Sequence, residues 1–198
     1  MSLAFFVAGT DTDVGKTTIA AGLLHAARVQ GMSTAAIKPV ASGCELTDAG
    51  LRNSDALALQ AECSPALDYA TVNPFAFAPA IAPHIAAREA GVELSAERLV
   101  QVIRPVLARQ ADFTLVEGAG GWRVPLNAQE SLSAVVQALG LPVILVVGVR
   151  LGCINHAVLS AEAIARDGLA LAGWVANIVD PATSRLEENL ATLAELLP

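Results

Sequence analysis

Short apolar runs alternate along the chain with longer segments in which apolar and polar residues are mixed. Apolar runs with few polar residues predict buried strands at positions 3–8, 34–40, 112–116, 141–149 and 169–179. Segments between them predict helices at 19–29, 54–62, 84–90, 95–110, 130–139, 151–166 and 184–197. Strands that alternate with helices predict an α/β fold, a mostly parallel central sheet with helices on both faces.

Two segments interrupt this alternation. Positions 47–52 are polar and predict a loop, and positions 64–83 hold four of the ten prolines and predict an extended excursion. A long irregular segment inside a compact domain is usually functional. In the last helix a leucine stripe at 186, 190, 193 and 197 indicates a core or interface face rather than a site.

Composition and charge restrict the partners. Hydrophobic residues make up 54% of the chain and aromatic residues only 4%, so the predicted core is built mostly of Ala, Leu and Val. The net charge is −7 and the pI is about 4.9, which disfavours general binding to nucleic acid or to anionic membranes. Any affinity for phosphate must therefore be local.

The sequence carries no targeting signal that we recognise. No basic region precedes the first apolar run, as a signal peptide would require. The longest strongly apolar run, 141–149, is about half of the ~20 residues that a membrane helix needs. Cys44, Cys63 and Cys153 are scattered and form no CxxC pair. We expect a reduced, cytoplasmic protein.

A glycine-rich segment, 9–18, follows the first strand and ends in Gly-Lys-Thr-Thr at the start of the first helix. A strand, such a turn and a helix form a phosphate-binding loop, in which free backbone N–H groups and the helix dipole attract phosphate. Lys16 would neutralise the β- and γ-phosphates, and the Thr17 hydroxyl would ligate Mg²⁺. Five residues separate Gly9 from Gly15, whereas the usual spacing is about four.

Polar residues follow other predicted strands at the same edge of the sheet, where ligands bind in open parallel sheets. Lys38 and Ser42 follow the second strand, and Glu117 with the glycines at 118, 120 and 121 follows the third. Lys38 alone could be a solvated surface lysine and Glu117 a capping acid. Asp55 is either a helix-capping acid or a Mg²⁺ ligand. Cys153 and His156 fit a buried small side chain and a helix-face histidine better than catalysts.

Seven runs along nearly the whole chain resemble dethiobiotin synthetase. The first is Gly-Thr-Asp-Thr-Asp-Val-Gly-Lys-Thr, and the set comprises 9–17, 38–43, 52–56, 69–74, 116–122, 151–156 and 173–177. Only the phosphate-binding loop is shared widely outside that family. The resemblance implies a single domain over 1–198 of the phosphate-loop NTPase type.

The resemblance also implies a reaction. The family joins 7,8-diaminononanoate with CO₂ (or bicarbonate), using MgATP, and forms dethiobiotin, ADP and phosphate. One amine takes up CO₂ as a carbamate, a carbamate oxygen attacks the γ-phosphate, and the second amine closes the ureido ring as phosphate leaves. ATP and Mg²⁺ are thus the implied cofactors, and biotin biosynthesis the implied pathway.

The family's functional residues carry over onto matching positions. The implied catalytic residues are Lys16 and Lys38, and the implied Mg²⁺ ligands are Thr17, Asp55 and Glu117. The implied nucleotide-binding residues are Asp13, Val14, Gly15, Lys16, Thr17, Thr18, Asp55, Glu117, Gly118, Ala119, Gly120 and Asn177. The side-chain amide of Asn177 is suited to the adenine edge. The implied substrate-binding residues are Thr12, Lys38, Ser42, Gly121, Leu151, Gly152, Cys153, Ile154 and Asn155.

The family acts as a homodimer with its substrate at the interface. The resemblance therefore implies that the helix start at 151–155 reaches the partner's site and holds the distant substrate carboxylate. Family members usually continue beyond the last helix into a segment that helps to hold the nucleotide base, whereas this sequence stops at Pro198. We therefore expect that segment to be missing. Asn189 stands where some members carry a Tyr near the carboxylate.

The alternative function is a switch ATPase of the partitioning or division-site type. Those proteins carry a signature lysine five residues before the main lysine of the loop, and that position here is Asp11. The sequence also shows no basic amphipathic helix at either end that would bind a membrane.

Overall fold

The computed structural model describes residues 2–198. Its strands are β1 (Leu3–Gly9), β2 (Thr34–Ile37), β3 (Val40–Ala41), β4 (Glu45–Thr47), β5 (Gly50–Arg52), β6 (Phe75–Ala76), β7 (Phe113–Glu117), β8 (Val143–Val149) and β9 (Leu171–Ile178). Its helices are α1 (Lys16–Val29), α2 (Ser54–Ala61), α3 (Tyr69–Val72), α4 (Pro83–Glu89), α5 (Ala96–Leu107), α6 (Leu132–Leu139), α7 (Cys153–Arg166) and α8 (Leu186–Leu196).

The central sheet confirms the predicted fold class. It has five strands in the order β2-β7-β1-β8-β9, and every pair is parallel. β1 lies in the middle, between strands that come later in the chain, so the winding direction changes beside it. Open sheets bind ligands at such a switch point, outside the carboxyl ends of the strands. The loop that follows β1 opens there.

The apolar runs form strands because both of their faces are covered. Six of the seven residues of β8 are buried, as expected for an inner strand of a parallel sheet. The amphipathic helix α5 buries one face, including Leu99 and Ile103, and its Ser95 side chain caps it by accepting from Arg98 N at 3.2 Å. Leu193 of α8 and Leu197, directly after it, are buried, and Leu186 and Leu190 pack against the core. The leucine stripe is thus a core face.

Two predicted boundaries differ from the structure for local reasons. α1 begins at Lys16, not at 19, because Gly15 adopts a left-handed conformation (φ 84°) and serves as the N-cap. β2 ends at Ile37 rather than at 40, since Pro39 has no N–H to donate to a neighbouring strand. Val40–Ala41 instead pairs in parallel with β6, outside the central sheet.

The predicted loop at 47–52 is wrong. Glu45–Thr47 and Gly50–Arg52 pair as an antiparallel hairpin, β4–β5. Gly50 has a positive φ of 93° in the turn, and the Thr47 hydroxyl donates to its carbonyl at 2.8 Å. A hairpin this short and exposed carries no apolar period, so the pattern could not indicate it.

The predicted excursion at 64–83 is only partly irregular. It contains α3, capped by Asp68, which accepts from Thr71 N at 2.8 Å, and β6, which pairs with β3. Among residues 2–198, no helix is long and apolar enough to cross a membrane. Cys44, Cys63 and Cys153 are buried free thiols.

Candidate functional site

A cavity of about 900 Å³ lies at the carboxyl ends of the central strands. The phosphate-binding loop forms one wall, and the others come from the segments that follow β2 and β7, from the start of α2 and from positions 80–83. Of the residues predicted for the site, those that line it are Thr12, Asp13, Gly15, Lys16, Thr17, Thr18, Lys38, Ser42, Asp55, Ala119 and Gly120. Residues from distant parts of the sequence therefore share one cavity.

The phosphate-binding loop is a tight turn between β1 and α1. Asp13 and Gly15 have positive φ angles of 57° and 84°. A Cβ at Gly15 would lie 2.2 Å from Nδ2 of Asn177, so no other residue fits there without displacing that side chain. This turn leads directly into the first turn of α1, whose N–H groups have no partner within the helix. Turn and helix together can bind phosphate.

Lys16 lies at the start of α1 and is buried. Its Nζ donates to the carbonyl of Asp11 at 2.9 Å. Burial lowers its pKa, and the positive charge of Lys38 lowers it further. An anion in the loop would favour the charged form of Lys16, because opposite charges stabilise each other in a desolvated site.

Lys38 and Glu117 meet because of the strand register. Ile37 pairs with Val116 at the ends of β2 and β7, which brings the following Lys38 beside Glu117. Lys38 Nζ lies 2.6 Å from Glu117 Oε1 and 3.1 Å from Asp55 Oδ2. Burial lowers the pKa of Lys38, but the charges of Glu117 and Asp55 outweigh burial, and the net shift is upward. Lys38 is therefore a permanent cation at neutral pH.

Thr17 joins the phosphate-binding loop to this cluster. Its hydroxyl donates to Glu117 Oε1 at 2.8 Å, across 100 residues of sequence. The second oxygen of Glu117, Oε2, is buried and accepts no hydrogen bond from any residue in 2–198. A buried carboxylate oxygen without a partner is costly, so this atom can gain from a further ligand.

The donor set around Glu117 fits Mg²⁺. Carboxylate and hydroxyl oxygens are hard ligands, and Mg²⁺ usually takes only one or two carboxylates together with water and phosphate oxygens. Within residues 2–198 no group of three or more His, Cys, Asp or Glu forms an all-protein metal centre. The unsatisfied Glu117 Oε2, with Thr17 and Asp55 nearby, suits an ion completed by a nucleotide.

The glycine run after β7 passes close to β1. A Cβ at Gly118 would lie 2.8 Å from the Phe6 ring, and Gly120 has a positive φ of 60°. Gly118 and Gly121 do not line the cavity, unlike their neighbours Ala119 and Gly120. Gly118 instead allows the chain to lie against the Phe6 ring.

Two residues predicted to bind nucleotide point elsewhere. The Val14 side chain is buried in the core, so only its backbone is available to a ligand. Asn177 lies at the end of β9 and donates through Nδ2 to the Val14 carbonyl at 2.9 Å. In this arrangement Asn177 supports the phosphate-binding loop and keeps only its Oδ1 for other partners. The amide pattern alone could not show that its donor was committed.

The segment 151–155 does not line the cavity of its own chain. Leu151 is 99% exposed, Gly152 and Asn155 are exposed, and Ile154 is half-buried. Cys153 is buried, and its N–H donates to the Arg150 carbonyl at 3.0 Å. The Cys153 side chain is therefore part of the core, as its residue type suggested.

Sequence reasoning missed a charged group at the cavity wall. Arg123 lines the cavity and forms a two-point ion pair with Asp167, with distances of 2.6 and 2.8 Å. Trp122 Nε1 donates to the same carboxylate at 2.8 Å. These contacts tie the loop after β7 to the end of α7. An arginine at 123, so soon after the glycine run, was the available signal.

The rarity of lysine was a second feature of the sequence that pointed to this cavity. Lys16 and Lys38 are the only lysines of the sequence, and the other ten of its twelve basic Lys and Arg residues are arginines. Both lysines line this cavity.

Comparison with known proteins gives two kinds of similarity. A family described as an AAA domain matches residues 4–197. The chain is 78% identical to the ATP-dependent dethiobiotin synthetase BioD of Pseudomonas paraeruginosa over 195 residues, 98% of this chain and 86% of that protein. It is 62% identical to the protein of the same name from Cellvibrio japonicus over 195 residues, 98% and 85% of the two chains.

Solved structures share the fold at low identity. A ParA family ATPase from Chlorobium tepidum matches with a TM-score of 0.55 and 16% identity, over 100% of this chain and 81% of that one. The kinase domain of the Escherichia coli tyrosine kinase ETK matches with a TM-score of 0.54 and 14% identity, over 92% and 70%. At these identities the likeness concerns the fold alone.

Proposed function

The chain belongs to the ATP-dependent dethiobiotin synthetase family, and on that premise we propose that its cluster of Lys38, Glu117 and Asp55 closes the ureido ring of dethiobiotin. The protein is an ATP-dependent ligase. One observation carries the assignment of the site: Lys38 lines the same cavity as the phosphate-binding loop, and its Nζ is held 2.6 Å from the buried carboxylate of Glu117.

The phosphate-binding loop would hold ATP with its γ-phosphate directed toward Lys38. Lys16 would leave the Asp11 carbonyl for the phosphates, because a charged acceptor makes the stronger hydrogen bond. Phosphoryl transfer depends on positioning and on neutralising charge more than on a covalent nucleophile of the protein. Two buried lysines that line the same cavity meet that need.

The substrate would be 7,8-diaminononanoate with CO₂ or bicarbonate. One amine bonds to the carbon of CO₂ and loses a proton, which gives a carbamate. A carbamate oxygen then bonds to the γ-phosphorus as the bond to ADP breaks, giving a carbamic–phosphoric anhydride. The second amine attacks the carbonyl carbon, and phosphate leaves as the ring closes. Ser42 and Thr12 would hold the diamine end beside Lys38.

Lys38 acts in this scheme as a fixed charge. Its pKa is raised, so it cannot accept a proton from the amine at neutral pH. It would instead stabilise the negative charge of the carbamate and of the transferring phosphoryl group, in a site where low dielectric strengthens the interaction. Its contacts with Glu117 and Asp55 fix the Nζ before substrate arrives.

Mg²⁺ would be held by Thr17, Asp55 and Glu117, and when bound it would supply charge neutralisation for the β- and γ-phosphates. We propose a homodimer in which 151–155 of one chain reaches the partner's site and presents backbone N–H groups to the substrate carboxylate. The exposure of Leu151 and Asn155 supports that assignment. We expect the reaction to take place in the cytoplasm, with all three thiols reduced.

The test is to mix the purified chain with MgATP, bicarbonate and 7,8-diaminononanoate, and to follow phosphate release and product mass. We expect dethiobiotin, ADP and phosphate in equal amounts, with phosphate release dependent on both the diamine and bicarbonate. ATP hydrolysis that is indifferent to the diamine would contradict the proposal and favour a switch ATPase. The shared fold with ParA-type ATPases at 16% identity does not itself favour that alternative.

A further inference from the structure

The backbone of Lys38 is held from outside the central sheet. Its strand ends one residue earlier, at Ile37, so no sheet ladder reaches position 38. The Lys38 N–H donates to the Val72 carbonyl at 2.8 Å, and the Lys38 carbonyl accepts from Asn73 Nδ2 at 2.8 Å. The C-terminal end of α3 and its capping residue therefore satisfy both backbone groups of the lysine.

Asn73 continues into a chain of hydrogen bonds. Its Oδ1 accepts from the Tyr69 hydroxyl at 3.0 Å, and the Tyr69 oxygen accepts from the Asn53 N–H at 2.7 Å. Asn53 is the N-cap of α2, and its side chain accepts from Ala56 N at 3.2 Å. The segment 69–73 thus links the backbone of Lys38 to the start of α2.

The chain of contacts closes on itself. Asp55 lies in the first turn of α2, two residues after Asn53, and its Oδ2 lies 3.1 Å from Lys38 Nζ. Lys38 is therefore held at two ends, by Asn73 at its carbonyl and by Asp55 at its ammonium group. Tyr69 joins the two supports, so the separation of the two reactive side chains depends on it.

Burial makes this network costly to break. Asn73 is 3% exposed and Asn53 is 6% exposed, so the loss of one partner leaves a buried polar group unsatisfied. Burial also raises the pKa of Tyr69, so its hydroxyl keeps the proton that it donates to Asn73. The Arg52 guanidinium lies 4.2 Å from the centre of the Tyr69 ring and holds the ring in place.

We propose that Tyr69 and Asn73 are positioning residues, which set the distance between Lys38 and Asp55 without touching substrate. This inference rests on the proposed function, because it gives the two residues a part in that reaction. It gives a role to two residues of the segment 64–83. The sequence predicted that this segment is functional, but it contributes no side chain to the cluster of Lys38, Glu117 and Asp55.

The experiment compares full-length Tyr69→Phe, Asn73→Leu and the double variant with the unmodified chain. Tyr69→Phe keeps the ring under Arg52 and removes only the hydroxyl, so we expect it to fold. We expect kcat for dethiobiotin to fall roughly 10- to 100-fold in each single variant, the range that small misplacements cost. The dissociation constant for ATP without Mg²⁺ should change by less than about twofold, because the phosphate-binding loop is untouched.

The double variant tests whether the residues act as a unit. If they do, its kcat should lie close to that of the worse single variant rather than at the product of the two losses. Asn127→Leu is the matched control. Asn127 also donates through Nδ2 to a loop carbonyl, that of Leu94, at 2.9 Å, but it does not contact Lys38, Asp55, Tyr69 or Asn73. It should lower stability without the selective loss of kcat.

Three results would overturn the inference: unchanged kcat in both single variants, an equal loss of kcat in Asn127→Leu, or multiplicative losses in the double variant. Each presupposes that the unmodified chain makes dethiobiotin. If the unmodified chain makes none, the proposed function itself has failed, so the two failures are distinguishable.

Discussion

The two edges of the central sheet differ in how far the protein covers them. All four residues of β2 are buried, and α1, α2, α3 and α5 pack against it. β9, at the opposite edge, has no fully buried residue, and its Ala172 and Ile178 are exposed. Lys38 follows the strand at the covered edge, and Asn177 lies on the open one.

The difference shows how one sheet supports two kinds of interaction. At the covered edge Lys38 and Glu117 are removed from water, where a charge acts strongly on a bound group. Ile178, at the end of the open edge strand, is an exposed large apolar side chain, and so is Leu151, which follows the neighbouring strand β8. Apolar surface of that kind favours contact with a second chain, in agreement with the proposed homodimer.

Lys38→Met removes the buried cation at the covered edge and should have the largest effect of these substitutions. We expect turnover to fall by about 10³-fold or more, because the variant removes the charge that we propose faces the reacting groups. We also expect about 3–5 kcal/mol less stability, since Glu117 is left buried without its cation. Steady-state kinetics and urea unfolding measure the two effects.

A second substitution separates these two effects. Lys38→Met with Glu117→Gln removes the uncompensated charge and should recover most of the free energy of unfolding. Turnover should stay low in this double variant. The double variant also lacks a proposed Mg²⁺ ligand, so a return of turnover with stability would contradict the proposed roles of both Lys38 and Glu117.

Leu151→Asp tests the open edge, with the next largest effect. A charge at this exposed position should weaken dimerisation, and turnover should fall by about 100-fold if the partner's site needs the 151–155 segment. Sedimentation velocity and activity should change together. Val29→Asp, at another exposed apolar position, is the matched control and should leave both unchanged. A fully active monomer would refute the shared site.

The alkaline pH dependence of ATP binding distinguishes the two lysines that line the cavity. The pKa of Lys16 is lowered and that of Lys38 is raised, so rising pH should neutralise Lys16 first. ATP affinity should therefore fall about tenfold at a pH below the ordinary lysine pKa near 10.4. Isothermal calorimetry between about pH 7 and 10 measures it. Lys16→Arg should abolish this fall, because arginine stays charged; a fall that persists in this variant would exclude Lys16 as its source.

Asp167→Asn should have the smallest effect, about 1 kcal/mol of stability at pH 7, since it weakens the contacts with Arg123 and Trp122. Burial raises the pKa of Asp167, but hydrogen bonds from those two residues outweigh burial and lower it. The contribution is therefore complete above the ordinary Asp pKa near 3.9 and is lost as the pH falls through the lower folded-state pKa. Urea unfolding at several pH values should show the gap between variant and unmodified chain closing below about pH 4. A gap that stays constant would mean that the carboxylate charge plays no part.

Much of the fold could be predicted, because burial on both faces leaves a strong local pattern. The five predicted strands are the five strands of the central sheet, although β2 is shorter than expected. The hairpin β4–β5 was missed because its six residues are all exposed or half-buried. The strand ends pointed to Lys38 and Glu117, and the structure brings both to the same cluster.

The sequence by itself determined the strand and helix alternation, the phosphate-binding loop and the family, since each can be recognised from runs of contiguous residues. Only the tertiary structure decided which atoms meet. It brings Thr17 to Glu117 across 100 residues, turns the Cys153 side chain into the core and commits the Asn177 amide to Val14. Strand register and side-chain packing set these contacts, and both depend on residues far apart in the chain, so no local pattern encodes them.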